Sequence, residues 1–332
     1  SNMKVPVFTI RSTKKGYGWL VNYLETLLST ILWQMMTSIT ITDHYVNTII
    51  PYVMTTMNCS REVAFSYVQW MIHDFSMRGL SSVESGITSG MAHLASGVTG
   101  TDTVPAIVAL EHYYKATGLV GASVPATEHS VMCMGTKEDE VGTFERLLDL
   151  YPTGILSVVS DTWNLWDVVR PGGICTKLKD KIMARDGKLV IRPDSGIPAD
   201  IICGLPVLED LSEVMDVKGK FIYGDGVYTF DKEGWQYYLE EYGEGAQDYK
   251  EQFLEVAEAT EEEKKGVIQL LWEGFGGTTV IGSDGNEYRV LDSHIGAIYG
   301  DSITPPVAIE IMERLKANRF ASVNIVFGVG LT

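Results

Sequence analysis

The sequence predicts an α/β protein of parallel strands alternating with helices, as a (β/α) barrel or a doubly wound sheet. Short apolar runs, such as Ile155 to Val159 and Ile295 to Tyr299, lack the polar alternation of a half-exposed strand. Continuous runs of that kind suit parallel strands covered by helices. Each run ends in a tip rich in Gly, Asp, Ser and Arg, and a helical stretch follows, repeatedly along the chain. The length, 332 residues, is enough for one barrel-sized core or two smaller ones.

Taken in order, Ser1-Asn2 ahead of Met3 reads as a tag scar, and Val5 to Ile10 as a short strand. A long helix is expected from about Tyr17. Its Trp19 to Met36 portion is the one membrane candidate, yet it holds Asn22, Glu25 and Gln34. Its leucines recur at helical spacing (Leu20, Leu24, Leu27, Leu28), which fits an amphipathic core helix better than a bilayer span. A second helix is expected from about Asp43 to Met57. Ser60-Arg61-Glu62 then has the composition of an N-cap opening a third helix towards Trp70.

The tips follow. Met71 to Gly79 is the first. Ile155 to Val159 runs into Ser160-Asp161, and Lys188 to Ile191 into Arg192-Pro193-Asp194-Ser195-Gly196. Ile295 to Tyr299 runs into Gly300-Asp301-Ser302, and Val323 to Phe327 into Gly328-Val329-Gly330. In either architecture reactive groups gather at the carboxyl ends of the strands. Tips are polar in any case because loops are solvated. Arginines and aspartates set directly on strand ends, with glycines beside them, favour a pocket that handles phosphate.

Between the first two tips lies Ala122-Ser123-Val124-Pro125-Ala126-Thr127-Glu128-His129-Ser130, which breaks the local rules on both sides. A helical segment ends at Gly118 and Gly121, and Pro125 then holds Val124 extended. An acid beside a histidine follows in a Ser/Thr-rich turn. The plain reading is a histidine capping a helix; the functional one is a histidine presented to a ligand. From about Gly204 to Glu263 the pattern is interrupted by an acidic, aromatic stretch, read as a surface insertion. Its Gly224-Asp225-Gly226 mimics a tip, but no clear strand–helix unit follows it.

A formal net charge of −17 argues against nonspecific nucleic-acid binding, which needs a basic footprint. An anionic small substrate is still compatible if a few arginines and a metal make one pocket positive. Cys59, Cys133, Cys175 and Cys203 are scattered without zinc spacing, as expected of free thiols in a reducing cytoplasm.

Together His73-Asp74-Phe75-Ser76-Met77-Arg78-Gly79, Gly100-Thr101-Asp102-Thr103, Ser123 to Ser130, Ser157 to Asp161, Ile191 to Gly196 and Gly300-Asp301 resemble the nicotinate and nicotinamide phosphoribosyltransferase family. The bacterial and phage nicotinamide branch of these type II enzymes is the nearer. The resemblance runs in order from about Val5 to Gly330. It implies an irregular (β/α) barrel over residues 16–332, with the insertion on its surface. Residues 1–15 would be the scar and a remnant strand of the family's β-rich second domain.

The implied reaction condenses nicotinamide with phosphoribosyl pyrophosphate (PRPP) to nicotinamide mononucleotide and pyrophosphate, with Mg2+, in a homodimer. ATP would stimulate it through a phosphohistidine. By the same resemblance Phe75 stacks on the base, Arg78 contacts phosphate, and Arg192 lies near nicotinamide and ribose. Asp194 binds ribose hydroxyls or the metal–PRPP complex. Ser123, Val124 and Ser160 line the substrate site, and Gly300, Asp301, Gly328 and Gly330 the ribose-phosphate pocket. His129 is the phosphorylated histidine with Glu128 orienting it, and no metal ligands are assigned.

Asp102 would accept a hydrogen bond from the carboxamide and repel nicotinate; its plain reading is a helix N-cap. Asn164 stands where the family more often has aspartate. Against the family pattern the chain reads as cut at both ends, with helices such as Trp19 to Met36 left short of burial. The alternatives are a nicotinate-specific enzyme and a catalytically impaired remnant that acts as a binding protein.

Overall fold

Six parallel strands form the frame of the molecule. The computed structural model describes residues 6–331, and of residues 244–248 the backbone only. The chain opens with helix α1 (Gly18–Met57) and α2 (Arg61–Met71), then β1 (Ile72–Asp74), α3 (Val83–Ala95), β2 (Gly100–Thr101) and α4 (Val104–Tyr114). Next come α5 (His129–Cys133), α6 (Glu140–Leu150), β3 (Thr153–Val159), α7 (Leu165–Val169), α8 (Ile174–Lys177), α9 (Lys179–Met183), β4 (Asp186–Arg192) and α10 (Pro198–Cys203). A peripheral unit carries β5 (Val207–Leu208), β6 (Phe221–Tyr223), β7 (Gly226–Phe230), α11 (Lys232–Tyr242) and β8 (Leu254–Val256). The chain closes with α12 (Glu261–Phe275), the hairpin β9 (Gly277–Ile281) and β10 (Glu287–Leu291), β11 (Ile295–Tyr299), α13 (Pro305–Ala317) and β12 (Ile325–Val329).

The main sheet has the order β2-β1-β12-β11-β4-β3, all parallel. Its two edges are joined by the stretch that carries Pro125. Ala122 pairs with Gly100 of β2, and Ala126 pairs with Ser157 of β3. Thr101 N–H donates to the Ala122 carbonyl (3.0 Å), and Ser157 N–H to the Pro125 carbonyl (2.9 Å). Residues 122–126 are thus a seventh stave that closes the barrel. Pro125 has no N–H to give, so the pairing stays too broken to form a regular strand. The result is the irregular (β/α) barrel expected from the sequence.

Along the strands, alternate residues face opposite ways. In β4, Leu189 and Ile191 pack outward into the main core with residues of α10, α12 and α13, while Lys188 and Val190 line a cavity within the barrel. Those outward faces meet Ile202, Leu271, Ile311 and Leu315, which explains why the strand sequences read as continuously apolar.

Several local expectations change. No strand forms over residues 6–15; Val5, the Ser1-Asn2 scar and Thr332 lie outside the described residues. The two helices expected between Tyr17 and Met57 are one 40-residue helix that continues through Pro51. Only its second half enters the core, through Tyr45, Ile49, Ile50 and Val53. Its first half is helical but not buried: Trp19 is 68% exposed and Ile31 67%. Helix α4 stops at Tyr114, before the glycines, because Lys115 takes the left-handed conformation. The Ser60 cap is as expected, with its side chain accepting from Val63 N–H.

Within 204–263, β5 to β8 form a separate four-stranded sheet around Leu211, Val214 and Phe221. Gly224-Asp225 is the turn of the antiparallel β6–β7 hairpin and not the end of a barrel strand. A strand–helix pair does follow it, β7 and α11, but outside the barrel sheet. No described helix is long and apolar enough to cross a membrane.

Candidate active site

The strand register brings the carboxyl ends to one rim. Val159 lies opposite Arg192, Asp74 opposite both Thr101 and Val329, and Tyr299 opposite Phe327. The residues that follow therefore meet on the same end of the barrel, in two adjoining groups.

The first group surrounds Phe75. Its ring lies directly over Gly300 and Gly328: a Cβ built on Gly300 would come within 2.5 Å of the ring, and one on Gly328 within 2.2 Å. These glycines are there for space, not for turn geometry. His73 meets Phe75 edge-on at 5.2 Å between ring centres. His73 Nε2 is 2.8 Å from Asp102 Oδ1, and Ser123 Oγ donates to the same oxygen at 2.8 Å. Burial pushes the Asp102 carboxyl up, but the His73 hydrogen bond and charge, Ser123 and Arg192 outweigh it, so it titrates below its ordinary value.

Asp102 does not cap α4; Thr103 occupies that position. Its placement comes instead from buried Asp74. That carboxylate accepts from Ser76 N–H and Oγ, Thr101 Oγ1 and Thr103 Oγ1, and the Asp74 carbonyl accepts from Asp102 N–H. One buried acid thus pins the ends of β1 and β2 together.

The second group is built on β3, β4 and the closing stave. Asp161 Oδ2 accepts from Asp194 N–H (2.8 Å) and Ser195 Oγ (2.6 Å), while Asp161 Oδ1 is buried without a hydrogen-bond partner. His129 Nε2 stands 3.8 Å from both Asp161 Oδ1 and Asp194 Oδ2, and His129 Nδ1 is 3.1 Å from Thr162 Oγ1. His129 is therefore oriented by Thr162 and the two aspartates. Glu128, expected to orient it, reaches towards Arg192 instead (3.6 Å). Arg192 is buried, donates from Nη2 to the Thr127 carbonyl at 2.9 Å, and leaves Nε without an acceptor.

Asp301 is exposed and accepts from Ser302 Oγ, and Ser302 itself holds a left-handed φ of 55°. Beneath the aspartates lies buried Tyr299. Burial first, then Asp301, Asp161 and Asp194, push its phenol well above the ordinary tyrosine range, so all three carboxylates share one neighbourhood.

The remaining expected residues divide. Gly300, Gly328 and Gly330 line one cleft with Tyr45, Ser302 and Pro305, at the start of α13. Val124 lines the barrel cavity beside His73. Arg78 is exposed in the 3-10 turn Met77–Gly79 and forms no ion pair among the described residues. Ser160 does not face the site: it is fully buried, and its hydroxyl donates back to the Val158 carbonyl. Its N–H binds the Arg192 carbonyl, so it fixes loop position.

Asn164, seven residues beyond Ser157, caps α7 by accepting from Trp166 N–H. Asp161, His73 and Thr162 were missed as site residues. Asp161 and His73 sit inside motifs named above and Thr162 directly follows one, but only the pairing across strands reveals each partner.

Residues 70–332 match the model of the nicotinate phosphoribosyltransferase family. The chain is 41% identical, over 99% of its length, to a nicotinamide phosphoribosyltransferase of Acinetobacter baylyi, covering 54% of that protein. Proteins of the same name from Mycoplasma pneumoniae (32% identity, 95% of this chain, 54% of theirs) and Mycoplasma genitalium (29%, 98% and 57%) are also similar. The chain spans about half the length of these curated relatives. With the family match covering most of the chain and all of the barrel strands, the chain belongs to the nicotinate phosphoribosyltransferase family.

Proposed function

We propose that this chain carries the phosphoribosyl-transfer site of a nicotinamide phosphoribosyltransferase, joining nicotinamide to PRPP with release of pyrophosphate. The observation that carries this reading is Asp102. His73 and Ser123 both occupy Oδ1, which leaves Oδ2 without a hydrogen-bond partner among the described residues, and His73 itself meets the Phe75 ring edge-on. A planar base stacked on Phe75 presents its carboxamide N–H to that oxygen; a carboxylate there meets like charge. The names of the three relatives support the same base.

In the reaction the ring nitrogen of nicotinamide attacks C1′ of the ribose as the C1′–oxygen bond to pyrophosphate breaks. Positive charge builds on the sugar and negative charge on the leaving group. The free Nε of Arg192 is a buried donor that would meet the base or the ribose. Gly300, Gly328 and Gly330 leave a cleft at the α13 N-terminus, where the helix dipole favours phosphate although Pro305 and Pro306 supply no N–H. Arg78 stands free to meet a phosphate at the rim.

Asp161 and Asp194 would hold Mg2+. No cluster of three or more metal-ligating side chains occurs among the described residues, but magnesium is commonly bound by one or two carboxylates together with substrate phosphates. The orphaned Asp161 Oδ1 fits that role. The ion, when bound, neutralises charge on the departing pyrophosphate.

We assign ATP stimulation to phosphorylation of His129, which is half-exposed and held by Thr162 and two carboxylates. The apolar, uncovered first half of α1 is of the kind that marks protein interfaces, and supports a homodimer. The deciding experiment incubates the protein with PRPP, Mg2+ and either base and follows mononucleotide formation. Product from nicotinamide well above product from nicotinate is expected. No nicotinamide product from folded protein, or a preference for nicotinate, refutes the proposal.

A further inference from the structure

Asp102 and Ser123 are half-exposed or exposed, but the third member of their group is not: the His73 side chain is 11% exposed against 50% for Asp102. The imidazole is also confined. Nδ1 lies against the Gly100 backbone, where an added Cβ would come within 2.6 Å, and the ring edge abuts Phe75. The Asp102 backbone is tethered beside it, because its N–H is held by the Asp74 carbonyl and Asp74 is itself saturated by four donors. His73 therefore meets the recognition carboxylate from a confined ring.

We infer that His73 is a positioning residue whose protonation state sets how strongly the site discriminates between a carboxamide and a carboxylate base. The inference rests on the base-recognition role of Asp102 proposed above. An ionised carboxylate only accepts, so His73 must donate from Nε2. Neutral imidazole with Nε2–H and imidazolium both do so, and the hydrogen bond survives titration. What changes is the charge beside the substrate. With neutral His73 the pair carries one negative charge and disfavours a carboxylate; with imidazolium it carries none, and that penalty shrinks. Selectivity for the carboxamide falls as pH falls.

The other charged groups around His73 and the carboxylate it bonds are Asp74 on its own strand, His93 on α3, Lys188 on β4, Arg192 on β4 acting on Asp102, and Asp102 itself. His93 does not compete for the proton: burial holds its pKa down, and its Nε2 lies 2.9 Å from the Gly100 carbonyl. Ser123, which shares Oδ1, has no charge to change.

The test is calorimetric titration of the protein with nicotinamide and with nicotinate from about pH 5.5 to about pH 8.5, the span over which histidine titrates. Wild type should bind nicotinamide throughout, with the affinity ratio over nicotinate falling about tenfold or more from the alkaline to the acid end. His73→Gln retains an amide donor but no titration, so its ratio should stay high and flat with pH. His73→Leu and Ser123→Ala should both weaken nicotinamide binding, and only the former should also remove the pH dependence of the ratio.

Thermal melts verify that each variant is folded. If wild type binds nicotinamide but its ratio is flat with pH, or His73→Gln keeps the wild-type slope, the inference is overturned while the assignment of Asp102 stands. If wild type binds nicotinamide no better than nicotinate at any pH, that assignment and the inference both fall.

Discussion

The contact between Phe75 and the two strand-end glycines yields the sharpest test. In Gly328→Ala the new Cβ would lie 2.2 Å from Cδ2 and Cε2 of Phe75 and 2.9 Å from Gly300 Cα. Carbon atoms settle at about 3.5–4.0 Å, so the ring must retreat by more than about 1 Å. The backbone cannot give way instead, because β12 is hydrogen-bonded on both sides, to β1 and to β11. Overpacking of this kind costs about 1–3 kcal/mol, and disturbing the edge contact with His73 adds about 0.5–1.5 kcal/mol. We expect the melting temperature to fall by several degrees, at roughly 2–4 °C per kcal/mol, and nicotinamide affinity to fall about tenfold or more.

A double-mutant cycle isolates the cause. Phe75→Leu removes the ring that the alanine strikes, so Gly328→Ala should cost about 1 kcal/mol less stability in that background than alone. Urea unfolding of the four proteins measures the difference. Additive costs would mean that Phe75 and Gly328 do not share this space, and the reading of the glycines as room for the ring would fail.

Three further outcomes follow. Glu140 is buried at the start of α6 with Oε1 unpartnered; burial first, then Asp167, raise its pKa from 4.5 to about 7. The folded state then holds that proton more tightly than the unfolded chain, so stability falls as pH rises from about 4.5 to about 7. The 2.5-unit separation (7 − 4.5) caps the effect at about 3 kcal/mol. Because the buried carboxyl lies at the wall of a surface cleft, beside Trp163, Asp167 and Lys177, solvent screening reduces this and about 1–2 kcal/mol is expected. Glu140→Gln should remove that slope and be more stable than wild type by this amount at pH 8, as judged by urea melts; an unchanged slope refutes it. His129→Ala should abolish ATP stimulation while leaving ATP-independent transfer, and normal stimulation in the variant would exclude His129 as the phosphoryl acceptor. Asp161→Ala releases Asp194 N–H and Ser195 Oγ. It should weaken PRPP binding about tenfold or more, the scale for a charged hydrogen-bonding group, with nicotinamide binding kept; equal loss of both ligands would mean general collapse of the site.

Much of the architecture was legible in the residues. Runs such as Ile295 to Tyr299 announce parallel strands because helices must cover their outer faces, and the tips mark the reactive end because side chains there leave the hydrogen-bonded ladder. Ser60 announces a helix start because a hydroxyl followed by Arg61-Glu62 satisfies a free N–H. Burial was harder to read. The leucines of α1 keep helical spacing from Leu20 to Leu28, yet spacing says only that one side is apolar, not what it meets, and here that side lies open.

Function divides in the same way. The amino-acid sequence alone determined which chemistry-bearing residues stand at strand ends, because local pattern sets strand and tip. Only the tertiary structure decided which of them meet. Asp161 accepts from Asp194 N–H, Asp102 meets His73 and Ser123, and Glu128 reaches towards Arg192. These partners lie about 20 to 60 positions apart in the chain and are joined by inter-strand register. Register is a property of the closed barrel, including the stave through Pro125 that no local rule identifies as a strand.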